Sequence, residues 1–217
     1  MSSAKPSAEV QSHGFTWEKE ILSKRYGADT ETLSKISYTS KYDLPAAHNP
    51  ADPTLNVSVK ATGSSSKVDM GDALRVYDAV SSGERIHMWV VNYKQEGESK
   101  KVRDLKCVDI TGAKEALFGG LTRDEVAAVD SRVKAVPKGA APDASTKAAY
   151  KDSAKTANTK SGALILNPKV DSKTQRRLQC SFNHFDEFVA ANPDRLVGGP
   201  APSLTAELAS SKRTFNK

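Results

Sequence analysis

An aspartate and a strand lysine lie close together in the first third of this sequence. Asp43 ends a short run before Pro45, and Lys60 lies in an alternating apolar and polar stretch at residues 55–60. A lysine inside such a β-run is unusual, because partial burial of its ammonium group costs several kcal/mol unless a carboxylate, a metal-bound water or a phosphate compensates. An acid followed by a strand lysine therefore suggests a metal site that cleaves phosphodiester bonds.

Phosphodiester hydrolysis sets clear demands on such a site. It needs a hydroxide at neutral pH, relief of charge in the transition state and a proton for the leaving oxygen, and one or two Mg²⁺ ions supply most of this. Hard cations prefer carboxylates, and a nearby lysine can orient the water and neutralise charge. Ser58 and Lys60 share one face of the strand, and Asp43 can reach them from the preceding strand.

This segment resembles the PD-(D/E)xK nuclease superfamily, to which many type II restriction endonucleases belong. The resemblance covers residues 14–93 and continues more weakly to residue 182. It implies a mixed central sheet flanked by helices and a Mg²⁺-dependent DNase. Where the family has a second acid two residues before the lysine, this chain has Ser58. Asp43 and Lys60 match the family's first acid and its lysine.

The resemblance also indicates where the displaced acid lies. Some restriction enzymes with a Ser-Val-Lys strand carry it about a dozen residues after the lysine, a position that Asp72 occupies here, with Asp69 as the second choice. The family's glutamate on the first helix is matched by Glu18, with Glu20 less favoured on angular grounds. The implied catalytic set is therefore Asp43, Lys60, Asp72 and Glu18, and the implied Mg²⁺ ligands are Asp43, Asp72 and Glu18.

Simpler interpretations of the same residues remain open. Asp43 could close a turn before Pro45, with Asp52 as a lesser alternative for its catalytic role. Lys60 could be an ordinary lysine of an edge strand. Asp72 suits the first turn of a helix, where the helix dipole stabilises acids, and the same holds for Glu18.

A second polar cluster has the side chains that read DNA. Arginine pairs with guanine and glutamine with adenine in the major groove, while lysine and serine hold phosphates. On a β-strand the alternate residues of 175–181 share one face, which could contact DNA or could be the solvated face of an amphipathic strand. A loop at residues 63–67 could contact phosphates as well. The predicted DNA contacts are Ser64, Lys67, Lys173, Gln175, Arg176, Arg177, Gln179 and Ser181.

Hydrophobic periodicity and turn residues predict the elements that position these side chains. Gly27 is expected to end the first helix, and a capping box opens a helix at Thr122. The pattern indicates an α/β fold with a mixed central β-sheet of about five strands flanked by helices. The predicted helices are residues 15–26, 70–80, 122–136 and 185–191, and the predicted strands are residues 55–62, 85–93, 102–110, 163–166 and 177–182.

Composition indicates one domain and a polyanionic partner. The 217 residues carry a net charge of +6, and residues 134–177 hold ten Lys and Arg against three Asp. Such a segment favours nucleic acid, although a flexible Lys/Ala linker has the same composition. We expect a disordered tail at 1–13, a nuclease domain at 14–197 with a flexible basic loop or linker at 137–160, and an extended tail at 198–217.

The two cysteines, Cys107 and Cys180, form neither a zinc-type spacing nor a disulfide framework. Together with the polar N-terminus and the lack of a long apolar run, they predict an intracellular, cytoplasmic protein. The leading hypothesis is a sequence-specific type II restriction endonuclease that uses Mg²⁺, acts on double-stranded DNA as a homodimer and has a cognate DNA methyltransferase as companion. The alternatives are a non-catalytic nucleic-acid-binding protein and a repair or recombination nuclease of the same fold.

Overall fold

The computed structural model describes residues 8–37, 39–64, 66–97, 99–139, 141–170, 175–199 and 201–209. Seven helices and seven strands are found in these ranges. The helices are α1 (Ala8–Tyr26), α2 (Thr30–Ser34), α3 (Ala73–Ser81), α4 (Lys114–Phe118), α5 (Arg123–Lys134), α6 (Ala144–Asn158) and α7 (Phe185–Ala191). The strands are β1 (Leu55–Thr62), β2 (Val68–Asp72), β3 (Arg85–Glu96), β4 (Ser99–Asp109), β5 (Leu164–Val170), β6 (Arg176–Phe182) and β7 (Glu207–Ala209).

The chain divides into two compact units. The first takes its described residues from 1–65, 85–109 and 193–217, and the second from 66–84 and 110–192. The sequence predicts one domain over residues 14–197, whereas the chain passes between the two units four times. Each unit therefore combines segments that are distant in sequence.

The first unit contains a mixed sheet in the order β1-β3-β4-β7. β1 runs parallel to β3, β4 pairs antiparallel with β3, and the short β7 adds to the edge of β4. α1 packs its apolar side against β1, with Trp17, Ile21 and Leu22 in the same core as Val57 and Val59. Gly27, at a φ of +71°, ends α1 as the sequence predicts.

The second unit contains an antiparallel sheet in the order β2-β6-β5. α5 packs on β6, and α6 packs on β5 and α5. The buried residues Leu166, Leu178 and Phe182 belong to this sheet, and the Phe182 ring lies 5.0 Å from the ring of Phe188 on α7. β6 is the central strand, so neighbours lie on both of its edges.

The mixed α/β class is confirmed, while the predicted central sheet of about five strands is not. The described strands instead form one sheet of three long strands with the short β7, and a second sheet of three strands. Sequence periodicity locates strands but does not say which of them pair, and the two sheets belong to separate units. No described helix is long and apolar enough to cross a membrane.

Several predicted boundaries differ from the structure. α1 begins at Ala8 within the predicted disordered tail, and the predicted helix at 70–80 begins only at Ala73, because residues 68–72 form β2. Residues 144–158 of the predicted flexible loop form α6, and Glu207–Ala209 of the predicted extended tail pairs with β4. Residues 1–7 and 210–217 lie outside the described residues.

Candidate active site

Asp43 is fixed to β1 by backbone pairing of the next residue and by a hydrogen bond to its own carboxylate. Leu44 forms an antiparallel bridge with Val57, with N–H to O distances of 3.0 and 2.9 Å in the two directions. The amide of Val59 then donates to Asp43 Oδ2 at 2.7 Å. The carboxylate of Asp43 is therefore bound to the backbone of Val59, the residue that precedes Lys60.

Lys60 lies on the face of β1 opposite the core. Val57 and Val59 are buried against α1, whereas Ser58 and Lys60 alternate with them and are half-buried. Among the described residues the ammonium group of Lys60 has no hydrogen bond or ion pair. The predicted common face of Ser58 and Lys60 is thus present, and it carries a partly desolvated cation.

Glu18 lies on α1 and is half-buried. Burial raises the pKa of its carboxyl to about 7, and the negative charge of Asp43 adds to this, while the positive charges of Lys60 and Lys19 oppose it. The carboxyl group of Glu18 therefore lies close enough to Asp43 and to Lys60 for both charges to act on it. The structure brings together three of the four predicted catalytic residues, each from a different segment of the first unit.

Glu20 faces a different environment on the same helix. Its carboxylate accepts hydrogen bonds from the amide of Thr205 at 2.7 Å and from the Thr205 hydroxyl at 2.5 Å, and Lys24 lies 3.3 Å away. These bonds fix the segment near residue 205 to α1. The angular preference for Glu18 over Glu20 therefore agrees with the position of Glu18 beside Asp43 and Lys60.

Asp72 is the predicted displaced acid, and its carboxylate has a local structural role. Asp72 and Asp69 belong to the second unit, where Asp72 Oδ1 accepts the amide of Arg75 at 2.9 Å and caps the N-terminus of α3. Asp69 Oδ1 accepts the amide of Gly71 at 2.9 Å within a bulge of β2. This is the helix-terminal position that the simpler interpretation of Asp72 describes, and its metal-binding role stays a prediction.

Asp52, the lesser alternative to Asp43, is occupied by local contacts. Its Oδ1 accepts the amide and the hydroxyl of Thr54 at 2.9 and 2.7 Å, and its Oδ2 lies 2.8 Å from the Arg85 guanidinium. The hydrogen bonds from Thr54, followed by that of Arg85, lower the pKa of Asp52 below its usual value. Asp52 therefore stabilises the loop before β1.

The donor set for a metal is small. In the ranges that the structure describes, no three His, Cys, Asp or Glu side chains form a group that could hold a metal ion. Glu18 and Asp43 supply two carboxylates. Among the described residues Glu18 has no hydrogen bond or ion pair, and the carboxylate of Asp43 has the single bond from Val59.

Three of the predicted DNA contacts on β6 are buried. Arg176 is 7% exposed and donates to the carbonyl oxygens of Val136 and Pro137, just after the C-terminus of α5. Ser181 is 2% exposed and lies 2.7 Å from the Asn167 amide nitrogen, and Gln179 is buried too. These three side chains do not form the exposed face that the sequence predicts, because Arg176 alternates with Arg177 onto the other face, while Gln179 and Ser181 are flanked by neighbouring strands on both sides.

The other predicted DNA contacts differ in exposure. Gln175, Arg177 and Lys67 are exposed, while Ser64 is half-buried and its carbonyl accepts a hydrogen bond from Asn92 at 2.8 Å. Lys173 lies outside the described residues. The DNA-contact role of the exposed residues stays a prediction.

Sequence reasoning missed the contribution of the Val59 backbone. Its amide donates a hydrogen bond to Asp43 and orients the carboxylate. The sequence does carry a signal for this contact, because an extended segment that ends at Pro45 can pair with the strand that follows it. Comparison of the chain with protein-family models, with curated proteins and with solved structures gives no match. The site is therefore argued from its own geometry.

Proposed function

We propose that this chain is a Mg²⁺-dependent endonuclease of double-stranded DNA, of the type II restriction kind that its resemblance implies. The observation that carries the proposal is the position of Glu18, whose carboxyl group responds to the charges of both Asp43 and Lys60. Burial and the nearby Asp43 disfavour the ionised form of Glu18, and perturbed groups of this kind are concentrated at functional sites.

The residues present fit one Mg²⁺ ion. This cation is commonly bound by one or two carboxylates, and it completes its shell with water and substrate phosphates. Glu18 and Asp43 would hold it, because a cation offsets the repulsion between them and Asp43 is already oriented by the Val59 amide. Asp72, as the displaced second acid, remains part of the proposal on the strength of the resemblance alone.

The protein's own groups supply the rest of the chemistry. A bound Mg²⁺ would acidify a coordinated water and offset charge on the scissile phosphate. Lys60 orients the attacking water and donates to the phosphate oxygens as negative charge develops on them. Asp43 and Glu18 position these components, and the half-buried setting strengthens each electrostatic contact.

The finer architecture is proposed as restriction-endonuclease-like, with β1, β3 and β4 as the part of the sheet that carries the site. Cutting both strands of a palindromic sequence calls for two-fold symmetry, so we propose a homodimer. A restriction activity also implies a cognate DNA methyltransferase that protects the host's own sites.

The test is incubation of the purified protein with a long unmethylated duplex DNA in Mg²⁺ and, separately, in EDTA. Discrete bands that require Mg²⁺ support a sequence-specific endonuclease. A smear favours a repair or recombination nuclease of the same fold, and intact but retarded DNA favours the non-catalytic binding protein. In either of those cases the restriction assignment is rejected.

Single variants then test the residues. Asp43→Asn and Lys60→Ala should lower cleavage by about a hundredfold or more while DNA binding in EDTA is kept, since such groups each contribute roughly 10² to 10⁴ in rate. Asp52→Asn is the matched control, because it removes a carboxylate whose contacts are with Thr54 in the same loop and with Arg85 at the start of β3. Cleavage by Asp43→Asn at the wild-type rate would remove the site from consideration.

A further inference from the structure

A helix in the second unit carries a row of lysines that the proposed active site does not use. α6 begins with Asp143 as its N-cap, whose Oδ1 accepts the Thr146 amide at 2.7 Å. At its other end, Asn158 exchanges hydrogen bonds with both backbone groups of Leu166 on β5, at 2.8 and 3.1 Å. Buried Tyr150 and Ala154 lie between these ends, so the helix has a fixed rotation about its axis.

Lys147, Lys151 and Lys155 follow one another at intervals of four residues along α6, and all three are exposed. In an α-helix four residues advance about 6 Å and turn by about 40°. The three ammonium groups therefore stem from a row about 12 Å long on one side of the helix. We call these three residues the α6 lysine row.

The row is not neutralised within the protein. Among the described residues none of the three ammonium groups has an ion pair or a hydrogen bond, in contrast to Lys160 on Glu125 and Lys134 on Asp130. Asp152, the single acid in the α6 sequence, projects about 60° beyond Lys155 around the helix. It lines the groove between α5 and α6 instead.

A pair of like charges lies in the sheet of the same unit, on the face opposite the one that carries the buried Leu166 and Leu178. Lys169 on β5 and Arg177 on β6 are exposed, occupy directly opposed positions and have no acidic partner among the described residues. Like charges opposite one another destabilise a sheet. Asn158 projects within the angular range of the lysine row and bonds to β5, so the row lies on the side of α6 that faces this edge strand.

We infer that the α6 lysine row binds the phosphate backbone of duplex DNA. This inference rests on the proposed function only in taking duplex DNA as the ligand. Each strand presents one phosphate per about 3.4 Å of duplex axis, so a row about 12 Å long that lies along the axis passes about three or four of them. Between its lysines the row has alanines, polar residues and the buried Tyr150, which leaves nothing exposed, bulky and apolar to insert into a lipid surface.

The test is equilibrium binding to a 30-base-pair duplex in EDTA, which excludes cleavage, at a series of KCl concentrations. The variant carries Lys147→Gln, Lys151→Gln and Lys155→Gln. Loss of three phosphate contacts should reduce the slope of log K against log salt by about 2 to 3, and weaken binding roughly 10 to 100-fold at moderate salt. Replacement of the same lysines by arginine should keep the wild-type slope.

A control of equal charge excludes a net-charge effect. Lys35, Lys94 and Lys106 are exposed or partly exposed and paired with acids in the first unit, so changing them to Gln removes the same charge from lysines that are already neutralised. The inference predicts that this control keeps the wild-type slope. Equal slopes for wild type and the α6 variant, or equal loss in both triple variants, would overturn it.

The outcomes separate this inference from the proposed function. A protein that binds duplex DNA through the row but never cleaves it with Mg²⁺ supports the inference and rejects the endonuclease. Cleavage that persists with an unchanged salt slope in the α6 variant rejects the inference and leaves the endonuclease standing. Competition by polyglutamate as strong as that by DNA would assign the row to an acidic protein partner and overturn the inference.

Discussion

Burial and a neighbouring negative charge disfavour the ionised form of Glu18. Its pKa is raised from 4.5 to about 7 by burial and by Asp43. A raised pKa means that the folded protein binds a proton more tightly than the unfolded chain does. The stability gained in this way is complete below pH 4.5 and is lost as the pH rises through 7.

Metal-free protein should therefore become less stable between pH 5 and pH 8, and Glu18→Gln should remove much of that loss. One unit of pKa corresponds to about 1.4 kcal/mol, so we expect Glu18→Gln to raise the free energy of unfolding by about 1 to 3 kcal/mol at pH 8 and by much less at pH 5. Urea unfolding in EDTA at the two pH values measures this.

The matched variant is Glu20→Gln on the same helix. Glu20 accepts hydrogen bonds from Thr205 as a carboxylate, so its replacement should give no gain at pH 8. If Glu18→Gln, like Glu20→Gln, gives no gain in the free energy of unfolding at pH 8, then burial and the charge of Asp43 do not destabilise ionised Glu18 as described. Addition of Mg²⁺ at pH 8 should stabilise the wild type more than Glu18→Gln, because the cation offsets the same charge.

Asp72 has one role that the structure shows and one that the resemblance predicts, and a pair of substitutions separates them. Asp72→Ala removes the N-cap of α3 and should cost about 1 kcal/mol, whereas Asp72→Ser keeps a capping oxygen and should cost much less. Thermal unfolding measures both costs. If Asp72 also holds Mg²⁺, Asp72→Ser should fold like the wild type and yet lose Mg²⁺-dependent cleavage. Full cleavage by Asp72→Ser would leave Asp72 with the cap alone.

At the scale of elements, the backbone just after α4 packs closely against the backbone just before β5. Gly120 and Gly162 lie at this junction. Gly120 and Ala163 donate backbone hydrogen bonds across this junction, to Lys160 at 2.9 Å and to Ala116 at 3.0 Å. A Cβ added to Gly162 would lie 2.5 Å from the Ala116 oxygen, closer than atoms of this kind approach. The junction therefore depends on a hydrogen at residue 162.

Gly162→Ala should destabilise the protein by about 2 kcal/mol or more, because one backbone segment has to move away from the other. Gly120→Ala lies in the same junction and is the control, since its Cβ would meet only the Lys160 oxygen at an ordinary 3.9 Å. Chemical unfolding of the two variants measures the difference. Equal effects would show that the junction can widen at little cost.

Local signals in the sequence predict several of these elements well. The end of α1 at Gly27 follows from the freedom of glycine at positive φ, and the start of α5 follows from the capping box of Thr122 and Glu125. β2 was missed because its pattern is interrupted by a bulge, where Gly71 adopts a φ of +89°. An irregular strand loses the alternation by which strands are recognised, and residues 70–72 then fit the period of the following helix.

At the scale of the whole molecule, strand pairing and burial are what the sequence does not reveal. The pairing of Asp43 with β1 could be predicted because both segments are close in sequence, and it brought Asp43 to Lys60. The position of Asp72 could not, because the distance along the chain after Lys60 does not say in which unit a residue lies. The burial of the polar residues of β6 could not be predicted either. It depends on the neighbouring strands β2 and β5, and β2 is distant from β6 in sequence.

The proposed catalytic residues Glu18, Asp43 and Lys60 belong to the first unit, whereas Asp72 and the α6 lysine row belong to the second. Because catalysis and backbone binding use different residues, we predict that they can be lost separately. The Asp43→Asn variant should bind DNA in EDTA with the wild-type salt slope and fail to cleave it with Mg²⁺. The triple Gln variant of the α6 lysine row should bind weakly, and yet cleave at the wild-type rate once enzyme and DNA are raised above the new Kd at low salt. Single-turnover cleavage over a range of enzyme concentrations measures both quantities.

Such a separation follows from how the two groups of residues act. The α6 lysine row would contribute the same attraction to bound substrate and to the transition state, so its loss raises the concentration needed for half-maximal rate and leaves the maximal rate unchanged. Asp43 and Lys60 would act on the reacting phosphate, so their loss lowers the maximal rate. A combined variant should show the sum of the two effects, because the two groups of residues share no hydrogen-bond or ion-pair partner among the described residues. A maximal rate that falls with the lysine row would place those lysines in the chemical step and reject the division of roles between the two groups of residues.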